Sequence, residues 1–246
     1  MRCKLCNGED PLQHSHIIPE FCYKPLYDAK HRLSEYDLTA APLSSYRQKG
    51  FREYLFCSKC EKRFNEYENY FAARWFGSNG LPKSIKTDTE FVTVSDIDYD
   101  KFKFFHLSIL YRASVATLPF FESVNLGKNE TVIRDFLIDG DAPSEDCFPF
   151  IATLLYFPSS GDVPRDIIVE PVGVRLNGKF TYTFIYAGCS WTYFGSRNCS
   201  NDTPIKPALS KSGKLSLIPQ SIIENRLTRE LAFNHLKRLE GSDCAG

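Results

Sequence analysis

The stretch Gln13-His14-Ser15-His16-Ile17-Ile18-Pro19-Glu20 decides how this chain is read, because of what flanks it. Cys3-Lys4-Leu5-Cys6 precedes it and Cys57-Ser58-Lys59-Cys60 follows it. A C-x-x-C pair turns two thiolates toward one ion, and two pairs complete a tetrahedral four-thiolate zinc site. Cys3, Cys6, Cys57 and Cys60 are the expected ligands of a structural Zn²⁺, with Cys22 nearby as an alternative to one of them. Such a site holds the histidine stretch close to whatever follows Cys60.

Working outward, residues 1–12 read as a zinc knuckle whose turn is Asn7-Gly8. Residues 13–18 read as a short strand ended by Pro19. Residues 20–52 show no strong period and read as a long insertion, with a short helix near Phe21–Tyr27. Glu53–Phe56 reads as a second strand leading into Cys57. Over 61–77, Phe64, Tyr67, Phe71 and Trp75 recur at helical spacing and form one apolar stripe. Glu61, Asn65 and Glu68 share a neighbouring face. Gly77 to Gly80 and Pro82 end this helix, which places a domain boundary near 78–90.

Farther on, Phe91–Val94 reads as a strand, Tyr99–Phe121 as a buried helix and Thr131–Ile138 as a shorter one. Phe148–Phe157 reads as a strand that Pro149 pushes toward a sheet edge. Asp166–Val174 and Lys179–Ala187 flank Asn177-Gly178, a strong hairpin signal. Trp191–Phe194 adds a short strand, and 195–217 reads as loop or linker. Ser221–Glu240 reads as an amphipathic helix with Ile223, Leu227, Leu231 and Leu236 on its apolar stripe. Cys147, Cys189, Cys199 and Cys244 are expected as core or surface thiols.

The chain has 246 residues, 43% of them apolar and 14% aromatic, enough for one large or two modest domains. No apolar run reaches membrane length and residues 1–10 lack a signal-peptide core, so a cytoplasmic location is expected. There the nine cysteines stay reduced, and the paired ones suit metal rather than disulfides. Formal charge is zero overall but uneven, at +4 over 1–86, −7 over 87–205 and +3 over 206–246. The basic first segment permits a polyanion partner, whereas the acidic middle is not expected to lie along DNA.

His16 is the residue with a chemical reading. A neutral imidazole removes a proton from water, which then attacks a phosphodiester. A divalent ion, Mg²⁺ or Mn²⁺, would stabilise the charge growing on the phosphate. The strand is expected to turn His16 toward the helix face bearing Glu61, Asn65 and Glu68, whose oxygens suit such an ion. His14 shares a strand face with His16 and is expected to support it. Arg52, Lys59, Lys62 and Arg63, with Arg47 and Lys49 upstream, are candidate phosphate contacts.

Cys3-x-x-Cys6, Ser15-His16-Ile17-Ile18-Pro19 and Cys57-x-x-Cys60 followed by a helix resemble the zinc-knuckle branch of the HNH (ββα-metal) endonucleases. The resemblance covers roughly residues 1–77. It implies that His16 is the general base. Three positions depart from the pattern. Ser15 replaces a metal ligand, the middle Asn is missing before Cys57, and Glu61 stands where Asn or His is usual. The expected architecture is α+β. A small zinc-bound ββα domain (1–80) precedes a mixed helix and antiparallel-sheet domain (81–205), then a linker and C-terminal helix (206–246). The expected function is a metal-dependent HNH-like endonuclease cutting DNA with His16, Glu61 and Asn65 at its centre. Nuclease heads fused to sensing domains suggest, by analogy, antiviral defence. A partner-binding or oligomerisation role is open to residues 81–205. The alternatives are an inactive zinc-stabilised module that binds nucleic acid or protein, and a redox-sensing use of the cysteines.

Overall fold

The computed structural model describes residues 1–36, 44–176, 178–196 and 208–229. Strand β1 (Leu12–His16) ends three residues before Pro19, a bend at Ile17 and Ile18 follows, and helix α1 (Glu20–Tyr23) starts directly after the proline. The region expected to be an irregular insertion holds a hairpin of β2 (Arg32–Tyr36) and β3 (Ser44–Gln48). Alternation does not reveal it, because both strands are mostly polar and Leu33 is the buried anchor. Cross-strand contacts hold it instead: Arg47 Nε meets Glu35 at 2.9 Å, and Arg32 covers the Tyr46 ring. Strand β4 (Arg52–Cys57) pairs antiparallel with β1, setting His16 opposite Arg52 and His14 opposite Tyr54. Helix α2 (Ser58–Phe76) starts directly from β4, so Cys57 ends the strand while Cys60 lies in the first helical turn. Its buried stripe is Phe64, Phe71 and Trp75, as the spacing predicts. Gly80 packs on the carbonyls of Arg74 and Trp75, where a Cβ would come within 2.3 Å.

Strand β5 (Val92–Val94) leads to α3 (Tyr99–Val115), which the Asp98 side chain caps by accepting from Lys101 N. This helix is buried continuously from Phe102 to Ala113, so its apolar residues run around its circumference rather than along one stripe. It stops at Val115, not at Phe121. Pro119 cannot supply a helical N–H and instead begins a separate short turn over Pro119–Phe121. Helix α4 (Asn129–Asp139) closes at Gly140, whose φ of 81° suits glycine.

The rest of the chain builds a six-stranded sheet from β5 and five further strands. These are β6 (Phe150–Tyr156), β7 (Val169–Leu176), β8 (Lys179–Tyr186), β9 (Cys189–Phe194) and β10 (Leu215–Ser221). The order is β5-β10-β6-β9-β8-β7, and the β10–β6 pair is parallel, so the sheet is mixed rather than antiparallel. Strand β6 is interior, contrary to the edge expected from Pro149. That proline precedes the first paired residue and removes no ladder donor. The β7–β8 hairpin turns at Gly178, while Asn177 lies outside the described residues.

Strand β10 was expected as linker running into a helix. Pro219 makes it a poor strand by sequence, but it lies past the end of β5, on the stretch of β10 that keeps only one neighbour. Ser221 ends this strand instead of starting a helix. Residues 226–229 are helical, and the remainder of the expected helix, with Leu231 and Leu236, lies outside the described residues. One continuous core joins the knuckle to the sheet, running from Cys3 through Trp75 and Phe105 to Trp191 and Leu217. Trp75 Nε1 donates to Ala187 O at 3.0 Å, and Phe71 stacks on Phe105 with centroids 3.8 Å apart. The boundary expected near 78–90 is thus crossed by packed aromatics. No described helix is long and apolar enough to cross a membrane.

Because Leu217 is wholly buried in β10, Leu217→Ala should destabilise the chain by about 2–5 kcal/mol. Urea unfolding measures this. A cost near zero would mean that this strand is a dispensable tail.

Candidate functional site

The knuckle is built by local hydrogen bonding. Cys3 N donates to Gly8 O, Asn7 N donates to Cys3 O, and Asn7 adopts a left-handed φ of 60° to close the turn. Lys4 N donates to Leu55 O and binds this turn to β4. The result brings the sulfurs of Cys3, Cys6, Cys57 and Cys60 within 4.8 Å of one another. Sulfurs about 2.3 Å from one tetrahedral ion lie about 3.8 Å apart, and Cys6 Sγ is 3.8 Å from Cys57 Sγ. The cysteines are free thiols. Two amides already point at sulfur, Gly8 N at Cys6 and Cys57 N at Cys3. Burial opposes a Cys3 thiolate, yet the amides of Cys6, Cys57 and Leu5 hold its pKa down to about 7. Burial and the neighbouring thiols push Cys60 up. Without a cation the four thiols resist ionising together, and a divalent ion removes that conflict. The cluster can therefore hold a metal ion such as zinc. Cys22 is not part of it. That residue is buried apart, and burial pushes its thiol well up.

His16 lies at the end of β1, where the chain turns into α1. Its Nε2 is 2.7 Å from Glu20 Oε2, although the two atoms are out of line for a hydrogen bond and neither has another partner. The other Glu20 oxygen accepts from Tyr27 Oη at 2.9 Å. Burial, with the charges of Arg52 and Arg112, outweighs the Glu20 carboxylate and lowers the His16 pKa to about 4. The imidazole is neutral at pH 7.

Alternation along β1 gives the inward position to Ser15, not to His16. Ser15 is buried and faces Glu61 of α2. Burial raises the Glu61 pKa, and its Oε1 is buried without a hydrogen bond. His16 is linked to α2 through its backbone instead. Arg112 of α3 donates from Nη1 to His16 O at 2.8 Å and meets Glu68 Oε1 at 2.7 Å. The guanidinium is buried, packs 5.0 Å from the centre of the Phe64 ring, and donates to Ser108 Oγ. The expected gathering of His16, Glu61, Asn65 and Glu68 is thus revised. Glu20 is the partner of His16, Glu61 faces Ser15, Glu68 is neutralised by Arg112, and Asn65 is exposed. Among the described residues the four cysteines form the one group of three or more such side chains at metal-binding distances.

The candidate phosphate contacts divide. Lys59 and Lys62 are exposed on the first turns of α2, and Arg52 is half-buried opposite His16. Arg63 is not free for phosphate. It donates to Leu137 O and Ile138 O, the carbonyl end of α4, where a cation offsets the unpaired carbonyls. Upstream, Arg47 is paired with Glu35. His14 stacks on Tyr54 rather than on the His16 ring. Glu20, Tyr27 and Arg112 were not foreseen. The first follows His16 by four residues, a spacing that carries no signal across a strand end and a proline. The last approaches from nearly a hundred residues away in sequence.

Comparisons with family models, with curated proteins and with solved structures find no match to this chain.

The lowered His16 pKa fixes a pH dependence. Between the ordinary value of 6.5 and about 4, the unfolded chain binds a proton that the folded one refuses, so stability falls as pH drops through that window. His16→Gln removes this linkage. Urea unfolding at pH 7 and pH 4.5 should show a smaller loss for the variant than for the wild type. Equal losses would place the His16 pKa near its ordinary value.

Proposed function

We propose that the chain is an HNH-like nuclease, with Zn²⁺ held by the four cysteines and His16 acting as general base on a phosphodiester of nucleic acid. DNA is the substrate that the resemblance favours. The observation that carries this reading is the His16–Glu20 pair, with a neutral imidazole against a carboxylate that Tyr27 orients from behind. A neutral ring takes a proton from water, and Glu20 then meets the imidazolium that forms. A pKa near 4 makes a weak base in the free protein. An incoming phosphate is negative and would raise it toward the working range. With no three-ligand set beside His16 among the described residues, a Mg²⁺ or Mn²⁺ ion would rest on one or two carboxylates and the substrate's own oxygens. Proton transfer to His16 does not depend on it.

A second reading has its own support. Arg112 already neutralises Glu68, and Ser15 brings no charge to the position where the resembling enzymes carry a ligand. That suits a metal-stabilised module that binds nucleic acid or protein and does not cut.

Plasmid nicking assayed across Mg²⁺, Mn²⁺ and chelator separates the two. Nuclease action predicts that His16→Ala slows cleavage by about 10²–10⁴-fold while one metal per chain stays on the cysteines. Binding without cleavage under every ion would establish the second reading.

A further inference from the structure

A cleft of about 670 Å³ opens beside the cysteine cluster, between the knuckle, the C-terminal end of α3 and the start of α4. Arg2, Lys4 and Arg134 bring three positive charges to its lining against the single carboxylate of Glu130. That carboxylate already accepts from Ser114 Oγ at 2.7 Å. Four other acids stand close by, two of them Asp135, 3.6 Å from Arg134 Nη1, and Asp10, beside Tyr54 at the edge of the cleft. Glu9 meets Arg2 at 3.0 Å, but both side chains are more than two-thirds exposed, and such a pair yields readily to a stronger anion. Glu53 accepts from the Thr117 amide and hydroxyl, both at 2.8 Å, and so is satisfied. Arg134 is fixed in place by donating from Nε to Leu5 O at 2.6 Å. The lining itself is therefore net positive, with Arg134 held rigidly, while exposed acids at the rim pair with Arg2 and Arg134.

Tyr54 joins this cleft to the surface of β1 and β4. Its side chain is 56% exposed, and its ring stacks on His14 with centroids 4.7 Å apart and planes 9° from parallel. Tyr46, Phe91 and Phe180 are exposed as well, but Tyr54 combines its exposure with a parallel ring partner and a place in the wall of the cleft. Parallel exposed rings next to a cationic groove are the two components by which proteins hold single strands, stacking for the base and charge for the phosphate. A duplex keeps its bases stacked on one another and offers none to Tyr54.

We propose that this cleft and the Tyr54–His14 ring pair bind a single-stranded stretch of nucleic acid, with a phosphate in the cleft and a base on the rings. This rests on the nucleic-acid part of the function proposed above and locates the substrate's path. His14 and His16 lie two residues apart on one face of β1, about 7 Å along the strand. The ring pair thus stands near the general base on the same strand face.

The test uses the full metal-loaded chain carrying His16→Ala, so that nothing is cut, and an end-labelled oligonucleotide of about a dozen nucleotides read by fluorescence anisotropy. Tyr54→Ala should weaken binding at least fivefold, as loss of one stacked base does, and Tyr54→Phe should restore it. Arg2→Gln with Lys4→Gln should flatten the dependence of log K on log salt by about 1.4, the share of two phosphate contacts on a single strand. Metal content measured on each variant shows that the knuckle is intact. If all variants bind the oligonucleotide as the parent does, the cleft is not the site, although nucleic-acid binding stands. Tighter binding of duplex, indifferent to Tyr54, would overturn the single-strand assignment. A parent that binds neither form would overturn this inference and the nucleic-acid reading together.

Discussion

Four sulfurs from two distant segments meet in a space under 5 Å across, and the N-terminal part of the fold depends on that meeting. The knuckle at residues 3–6 has little core of its own beyond Cys3 and Leu5. Its hydrogen bonds to β4 and the sulfurs of Cys57 and Cys60 hold it in place. Cys57 ends a strand and Cys60 opens a helix, so a metal held by the four sulfurs would also fix the corner between β4 and α2. Metal binding at such a site is folding free energy, since the unfolded chain has no preformed cage. β1 is then positioned twice, by its ladder to β4 and by the knuckle that precedes it, and His16 at its end takes its place from both.

Arg112 makes the same corner answer to the rest of the protein. A buried guanidinium reaches from α3 to the carbonyl of His16 and to Glu68 of α2, so three elements share one charge. Breaking a buried pair of this kind costs about 3–5 kcal/mol, because the remaining partner is left charged and dry. The acidic, sheet-forming part of the chain therefore supports the His16 region through α3 rather than hanging from it. The aromatic packing of Phe71, Phe105 and Trp191 works in the same direction.

What the sequence disclosed follows from the range of each interaction. The cysteine pairs were legible because ligand spacing is a local constraint, and α2 because Phe64, Phe71 and Trp75 repeat at the period of one buried face. The β7–β8 hairpin was legible from its turn. Strand β10 was hidden by Pro219, whose fit in a strand depends on how far the neighbouring β5 extends. The β2–β3 hairpin was hidden by polar residues that pair with each other instead of with a core. At the candidate site His16 was visible as a residue but not in its orientation. A shift of one position on a strand exchanges faces, and it is Ser15 that points at Glu61. Glu20 and Arg112 could be found only in three dimensions, and Arg63 looked free for phosphate until α4 supplied its carbonyl partners.

The most direct measurement is X-ray absorption at the zinc edge on protein purified without added metal. One zinc per chain with four sulfur neighbours at about 2.3 Å is the result expected from Cys3, Cys6, Cys57 and Cys60. A first shell of nitrogen or oxygen, or protein that folds fully with no bound metal, would contradict the dependence of the N-terminal part of this fold on its four sulfurs.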